Sequence, residues 1–261
     1  MMPSHFSTIG FEVASTEELL EVTERARAAA VPIAARSGFY FHWSSASGAE
    51  LWLQVNDSSE LIGVHPHFCG STTSRVMVDR IVKRDDQTEL DGAIHGWMNA
   101  DPDGSGGDYP LVVDCANYFA FSREAPPAQA SLQISAFAHE VWTFESVAAF
   151  NEVQQRNGGL QYASQSFIPS GTFSGDEAPR AEALFCGHVL TSGKRVNDLT
   201  GQSFYWAEVE TYGGTLDVVT DQSLVTFWPS TGASSKAPFG CRRASTLCVR
   251  ARVSSGRCCG A

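Results

Sequence analysis

The stretch STIGFEVASTEELLEVTERARAAAVPIAARSGFYFHWSSASGAELWLQV, residues 7–55, sets the expected fold. Its first seven residues alternate apolar with small or polar side chains, which predicts a β-strand over 7–13. Ser15 with Glu18 three residues on is a capping box. The serine oxygen accepts from a first-turn N–H that has no intrahelical partner, and the glutamate reaches back. Leu19, Val22, Ala26 and Ala29 then recur at three- and four-residue spacings, leaving Glu17, Glu18, Glu21, Glu24 and Arg25 mainly for solvent. Val31 and Pro32 end the helix. A strand follows, then strands over 39–43 and 51–55 separated by a break at 44–48, so the element order is β-α-β-β-β.

This outline returns over residues 135–219. Advanced by 128 positions, Glu12 falls on Glu140, Val13 on Val141 and Ser15 on Thr143. Advanced by 165, Phe39, Tyr40, Gly48 and Leu51 fall on Phe204, Tyr205, Gly213 and Leu216, the difference being an insertion in the later copy. The expected fold class is therefore α+β: two related βαβββ modules with mixed, curved sheets and extra strands between them. The first module spans 1–57, additional strands and a linker 58–130, and the second module 131–230. An alternative assigns 181–230 to a small β-barrel such as an OB-fold, because three short strands with glycines also suit one.

Residues 231–261 have a different character. From Lys236 onward there are six basic residues, no acidic ones and four cysteines, with no continuing period, whereas residues 1–235 carry a net charge of −17. The reading adopted is an atypical tail whose sequence departs from that of the folded body.

Composition narrows the function classes. Apolar residues at 43% and charged residues at 18% describe a globular chain. A net charge of −11 repels polyanions and argues against nucleic acid or an anionic membrane as partner. No apolar run reaches bilayer length, and MMPSHFST lacks the charged and apolar regions of a secretory signal, so a cytoplasmic location is expected.

Several groups carry possible chemistry. Glu50 shares a strand face with Trp52, and His42 and His139 lie on other predicted strands; in a cleft, each is a candidate acid or base. Tyr40, Trp52, Tyr205 and Trp206 belong to aromatic clusters on equivalent strands and are candidates to line an apolar pocket. His65, His67 and Cys69 in VHPHFCG lie two apart and would share one strand face, as the start of a zinc site would, but no fourth ligand is evident. The loop DPDGSGGD places Asp101, Asp103 and Ser105 at calcium-ligand spacing with Gly106 at the turn. Val112 stands where the bidentate glutamate belongs, which favours a plain acidic turn.

Two β-α-β-β-β units with a capped first helix and a glycine before a closing strand resemble the vicinal oxygen chelate superfamily, which includes glyoxalases, bleomycin-resistance proteins and extradiol dioxygenases. The resemblance covers residues 7–55 and 135–219 and implies paired curved sheets around a cleft. It also implies metal-ligand positions at Thr8, Ala136, Trp52 and Asp217, of which only Asp217 can bind a metal, so the family's metal site is not expected and no cofactor is implied. The function expected from all this is binding of a small, partly apolar molecule or a protein partner in a cleft between modules. The alternative is a lyase, isomerase or dioxygenase of that superfamily with an altered metal site.

Overall fold

The computed structural model describes residues 4–85, 87–101, 106–120, 126–173, 178–225 and, for the backbone, 237–251. The architecture is α+β, mostly strands with two α-helices. The capping box forms: Ser15 Oγ accepts from the Glu18 N–H at 3.2 Å, and the Glu18 carboxylate accepts from the N–H of Ala14 at 2.8 Å. The helix it starts, α1 (Thr16–Ala28), buries Thr23 and Ala26, while Leu19 and Val22 are half-buried and Ala29 is exposed.

The strand expected over 7–13 does not form. Residues Ser7–Ile9 make one 3-10 turn closed by Gly10 at φ +79°, and residues 11–14 enter no ladder. Ile9 and Phe11 are fully buried and Val13 packs on the same cluster. Thr8 and Gly10 are buried as well, so the segment is an irregular one enclosed on all sides rather than a strand with one buried face. That segment is held by a distant loop: Asn197 Nδ2 donates to the Ile9 carbonyl at 2.9 Å and Thr200 Oγ1 to the Gly10 carbonyl at 2.6 Å.

Four antiparallel strands in sequence order follow α1: β1 (Val31–Ala35), β2 (Gly38–Ser44), β3 (Ala49–Val55) and β4 (Leu61–Phe68). Pro32 sits on the edge strand β1, where a missing N–H costs least. Every residue of the central strand β3 is buried, so both faces of this sheet are covered.

The second sheet has nine strands: β5 (Ser74–Val82), β6 (Ala93–Met98), β7 (Pro110–Cys115), β8 (Ala128–Thr143), β9 (Ser166–Ile168), β10 (Ala183–Val196), β11 (Ser203–Thr211), β12 (Gly214–Asp221) and β13 (Ala237–Ala251). The helix α2 (Val147–Asn157) lies between β8 and β9 in the chain. The order is β11-β12-β8-β5-β6-β7-β13-β10-β9, with further pairing of β10 to β11 and β8 to β13. The pairings therefore close two five-stranded rings that share the β8–β13 ladder, one through β5, β6 and β7 and the other through β12, β11 and β10. Closure curves the sheet and leaves few open edges. Within the atypical segment 231–261, residues 237–251 form β13, whose backbone pairs with β8 along Leu132 to Thr143. The ring that β10, β11 and β12 complete needs β8 and β13, both from outside residues 181–230.

The positions equated by the proposed repeat have different local structure. Glu12 lies in the unpaired segment before α1, and Glu140 lies within β8. β8 continues to Thr143 because that residue still pairs with Phe239, so the cap of α2 falls three residues later, on Ser146, which accepts from the Ala149 N–H at 3.2 Å.

One apolar core lies within the nine-stranded sheet, built on Val76, Ile94, Leu111, Ile134, Phe185 and Val209 among others. A second joins the sheets: Phe11, Trp43, Leu51 and Phe68 from the first part pack with Phe137, Phe204, Trp206 and Val219 from the second. This interface fixes where the cleft opens.

Candidate functional site

One face of the four-stranded sheet is polar although it is buried. Strand alternation places Tyr40 and His42 of β2, Glu50, Trp52 and Gln54 of β3, and His65 and His67 of β4 on that face, and the registers bring them side by side: His42 and His65 flank Trp52, and His67 is opposite Glu50. Six residues singled out in the sequence for separate reasons, Tyr40, His42, Glu50, Trp52, His65 and His67, thus form one constellation.

Its centre is Glu50, 1% exposed. His67 Nδ1 lies 2.8 Å from Oε2, His42 Nε2 lies 3.0 Å from Oε1, and the Trp52 indole N–H donates to Oε2 at 3.3 Å. The His42 contact is a close approach rather than a well-directed hydrogen bond. Burial alone would raise the proton affinity of Glu50, but the contacts from His42 and His67 and their charges overturn this and hold the carboxyl well below the ordinary range. His42 stacks on Trp52 with ring centroids 4.1 Å apart, which fixes the imidazole plane. The Tyr40 hydroxyl donates to the Leu90 carbonyl at 2.6 Å, and its ring meets Trp52 edge-on.

The other end of this face is organised by Asp91, which the sequence gave no reason to select. His65 Nε2 lies 2.6 Å from Oδ1, Gln54 Nε2 donates to the same oxygen at 2.5 Å, and the Thr88 N–H donates to Oδ2 at 2.9 Å. Here too burial pushes the carboxyl up, and the bond and charge from His65 bring it well below its usual value. His65 and His67 therefore share a face as expected but serve different carboxylates. They do not converge on a metal, and no group of three metal-ligating side chains occurs among the described residues.

Asp217, the other metal candidate, is fully enclosed by protein donors. Oδ2 accepts from the Thr72 N–H and hydroxyl at 3.0 and 2.6 Å and from Gln133 Nε2 at 3.3 Å, and Oδ1 accepts from the Trp206 indole at 2.9 Å. Gly70 covers the carboxyl group so closely that a Cβ there would lie 1.9 Å from its carbon. This aspartate anchors the second sheet to the 70–72 segment, its oxygens engaged by protein donors. Asp101 is exposed, its N–H bonded to the Gly106 carbonyl, and Asp103 lies outside the described residues.

A cleft of about 530 Å³ opens where the two sheets meet. His42 and Glu50 form part of its floor, Phe68 and Trp206 its apolar wall, and Ser44, Ser45, Ser47 and Ser71 its hydroxyl-bearing rim. Its shape depends on a clasp across 150 residues of sequence: Asp198 Oδ2 accepts from Ser45 Oγ at 2.8 Å and from the Ala46 N–H at 2.9 Å. Gly48, at φ +94°, ends the serine turn where a Cβ would strike the Cys69 carbonyl. Arg195 closes the far side, its guanidinium 4.5 Å over the Trp206 ring.

Of the expected site residues, His42, Glu50 and Trp206 line this cleft, and Trp52 supports it from beneath. Tyr205 does not join them, because on β11 it points to the opposite face from Trp206. His139 packs beside His5, ring centroids 4.9 Å apart, and is not part of the cleft lining. Burial lowers His5 to about 4, with the charges of His139 and His65 adding to the effect. Arg195, Asp198 and the serine turn were missed: a lone arginine and a Ser-rich break carry no signal until the loop at 197–202 meets the turn at 45–48.

Two smaller cavities differ in kind. One of about 150 Å³ lies at the Asp91 end and includes Arg84 and Asp114, whose partners are each other at 2.5 Å. The other, about 130 Å³ beside α2, is lined mainly by Trp142, Phe144, Phe150, Val153 and Leu160; its ionisable groups are the Tyr162 phenol and the Cys186 thiol, the latter pushed up by burial. No helix among the described residues is long and apolar enough to cross a membrane. In comparisons with family models, curated proteins and solved structures, none matches this chain.

Proposed function

We propose that the protein binds a small, partly apolar molecule in the cleft between the two sheets. The observation that carries this reading is the convergence of His42, Glu50 and Trp206 on one cavity of about 530 Å³, a size suited to a metabolite. The wall of Phe68 and Trp206 offers apolar contact area, and the serine rim and His42 offer a few directional polar groups. The buried Glu50 holds the imidazole of His42 at the floor, an arrangement that can orient a ligand and accept or deliver a proton. The test is a fragment screen by ligand-observed NMR on the wild-type chain and on Ser71→Trp, which places an indole at an exposed rim position. Hits should appear with the wild type and disappear with Ser71→Trp; hits that persist in the variant place the ligand elsewhere.

The finer architectural reading, two related modules of the vicinal oxygen chelate kind, belongs with this proposal. What supports it is that each half has a serine-capped helix followed by antiparallel strands. Its enzymatic form, a lyase, isomerase or dioxygenase with an altered metal site, would gain from stoichiometric Fe, Mn, Ni or Zn in elemental analysis of the purified protein.

A further inference from the structure

The charges around the cleft are unevenly committed. Glu50 is held by His42, His67 and Trp52, Asp217 by Thr72, Gln133 and Trp206, and Asp198 by Ser45 and the Ala46 N–H. Glu208 accepts from Ser71 Oγ at 3.5 Å and, among the described residues, makes no ion pair with Arg195. Arg195 is the exception: it lines the cleft, half-buried, and no carboxylate among the described residues pairs with it. The Trp206 ring beneath it restricts the guanidinium. A restricted guanidinium beside an apolar wall suits a planar oxyanion, which it can bind through two parallel hydrogen bonds.

We infer that the ligand of this cleft is an organic carboxylate with an apolar or aromatic body, its carboxylate held by Arg195 and its body laid against Phe68 and Trp206. This rests on the cleft being the binding site, and it adds the chemical class. The overall charge of −11 opposes anion capture, so selectivity must come from this local cation and weaken as salt screens it.

The experiment uses matched pairs of probes: phenylacetate, indole-3-acetate and naphthalene-1-acetate, each with its primary amide. Titration calorimetry is run on the wild type, Arg195→Gln, Arg195→Lys and Ser71→Trp, with thermal unfolding of each variant as a fold control. The acids should bind the wild type at least about tenfold more tightly than the amides, as expected when a charged hydrogen-bonded pair replaces a neutral one. Arg195→Gln should remove that preference, Arg195→Lys should keep part of it, and Ser71→Trp should abolish binding of both. Equal binding of acids and amides, unchanged in Arg195→Gln but lost in Ser71→Trp, would overturn the carboxylate inference and leave the cleft in place. Absence of binding by all six probes, or binding indifferent to Ser71→Trp, would overturn both.

Discussion

Glu50 and Asp91 stand at opposite ends of one sheet face, and each is paired with histidine, yet their surroundings differ in what water can reach. The Glu50 cluster is nearly dry, with Glu50 at 1%, His67 at 0% and His42 at 13% side-chain exposure, whereas His65 beside Asp91 is 40% exposed. Depressed proton affinity is common to both carboxylates, so it does not separate them. Solvent access does: loss of one partner in the dry cluster strands the others, while in the wet one water can substitute. The comparison teaches that the same residue types serve mainly as a rigid support at one end and as an adaptable contact at the other.

The largest expected effect breaks the dry cluster. Glu50→Ala removes the carboxylate that His42 and His67 both contact and should cost about 3–5 kcal/mol in urea unfolding, the range for removing one member of a buried ion pair. Asp91→Ala should cost about 1–3 kcal/mol, because it leaves Gln54 and the Thr88 N–H without their acceptor while His65 turns to water. Equal losses would dissolve the distinction.

A smaller effect concerns pH. The Glu50 carboxyl titrates lower in the folded protein than the value near 4.5 it would have unfolded, so its stabilising contribution is present above that pH and is lost as pH falls below it. Wild-type stability should therefore fall through this range, and Glu50→Gln, which has no charge to lose, should show a shallower slope in urea titrations at each pH. The smallest effect should come from His65→Gln, at most about 1 kcal/mol by thermal unfolding, since its ion contact is open to solvent screening. A loss as large as that of Asp91→Ala would show His65 to be a structural element.

Much of this face was legible before the structure. Alternation in 39–43 and 51–55 marked β2 and β3, and the spacing of His65 and His67 put them on one side. Register was the hidden part, because nothing local announces that Glu50 meets His67 seventeen residues away or that Gln54 meets Asp91 thirty-seven away. The early strand was misread for a different reason: residues 8–11 are all buried, and the groups that satisfy the Ile9 and Gly10 carbonyls come from Asn197 and Thr200. A period of two in the letters says nothing about what the backbone bonds to. The lack of period over 231–261 likewise did not prevent backbone pairing of β13.

The clasp at 197–202 also dictates timing. During synthesis the hairpins of β1–β4 can fold as soon as they leave the ribosome, but Ile9, Gly10 and the serine turn must wait for residues made well over a hundred codons later. In a nascent chain halted before residue 195 the cleft would have His42 and Glu50 but neither Arg195 nor Trp206, so its lining is incomplete until most of the chain has been made.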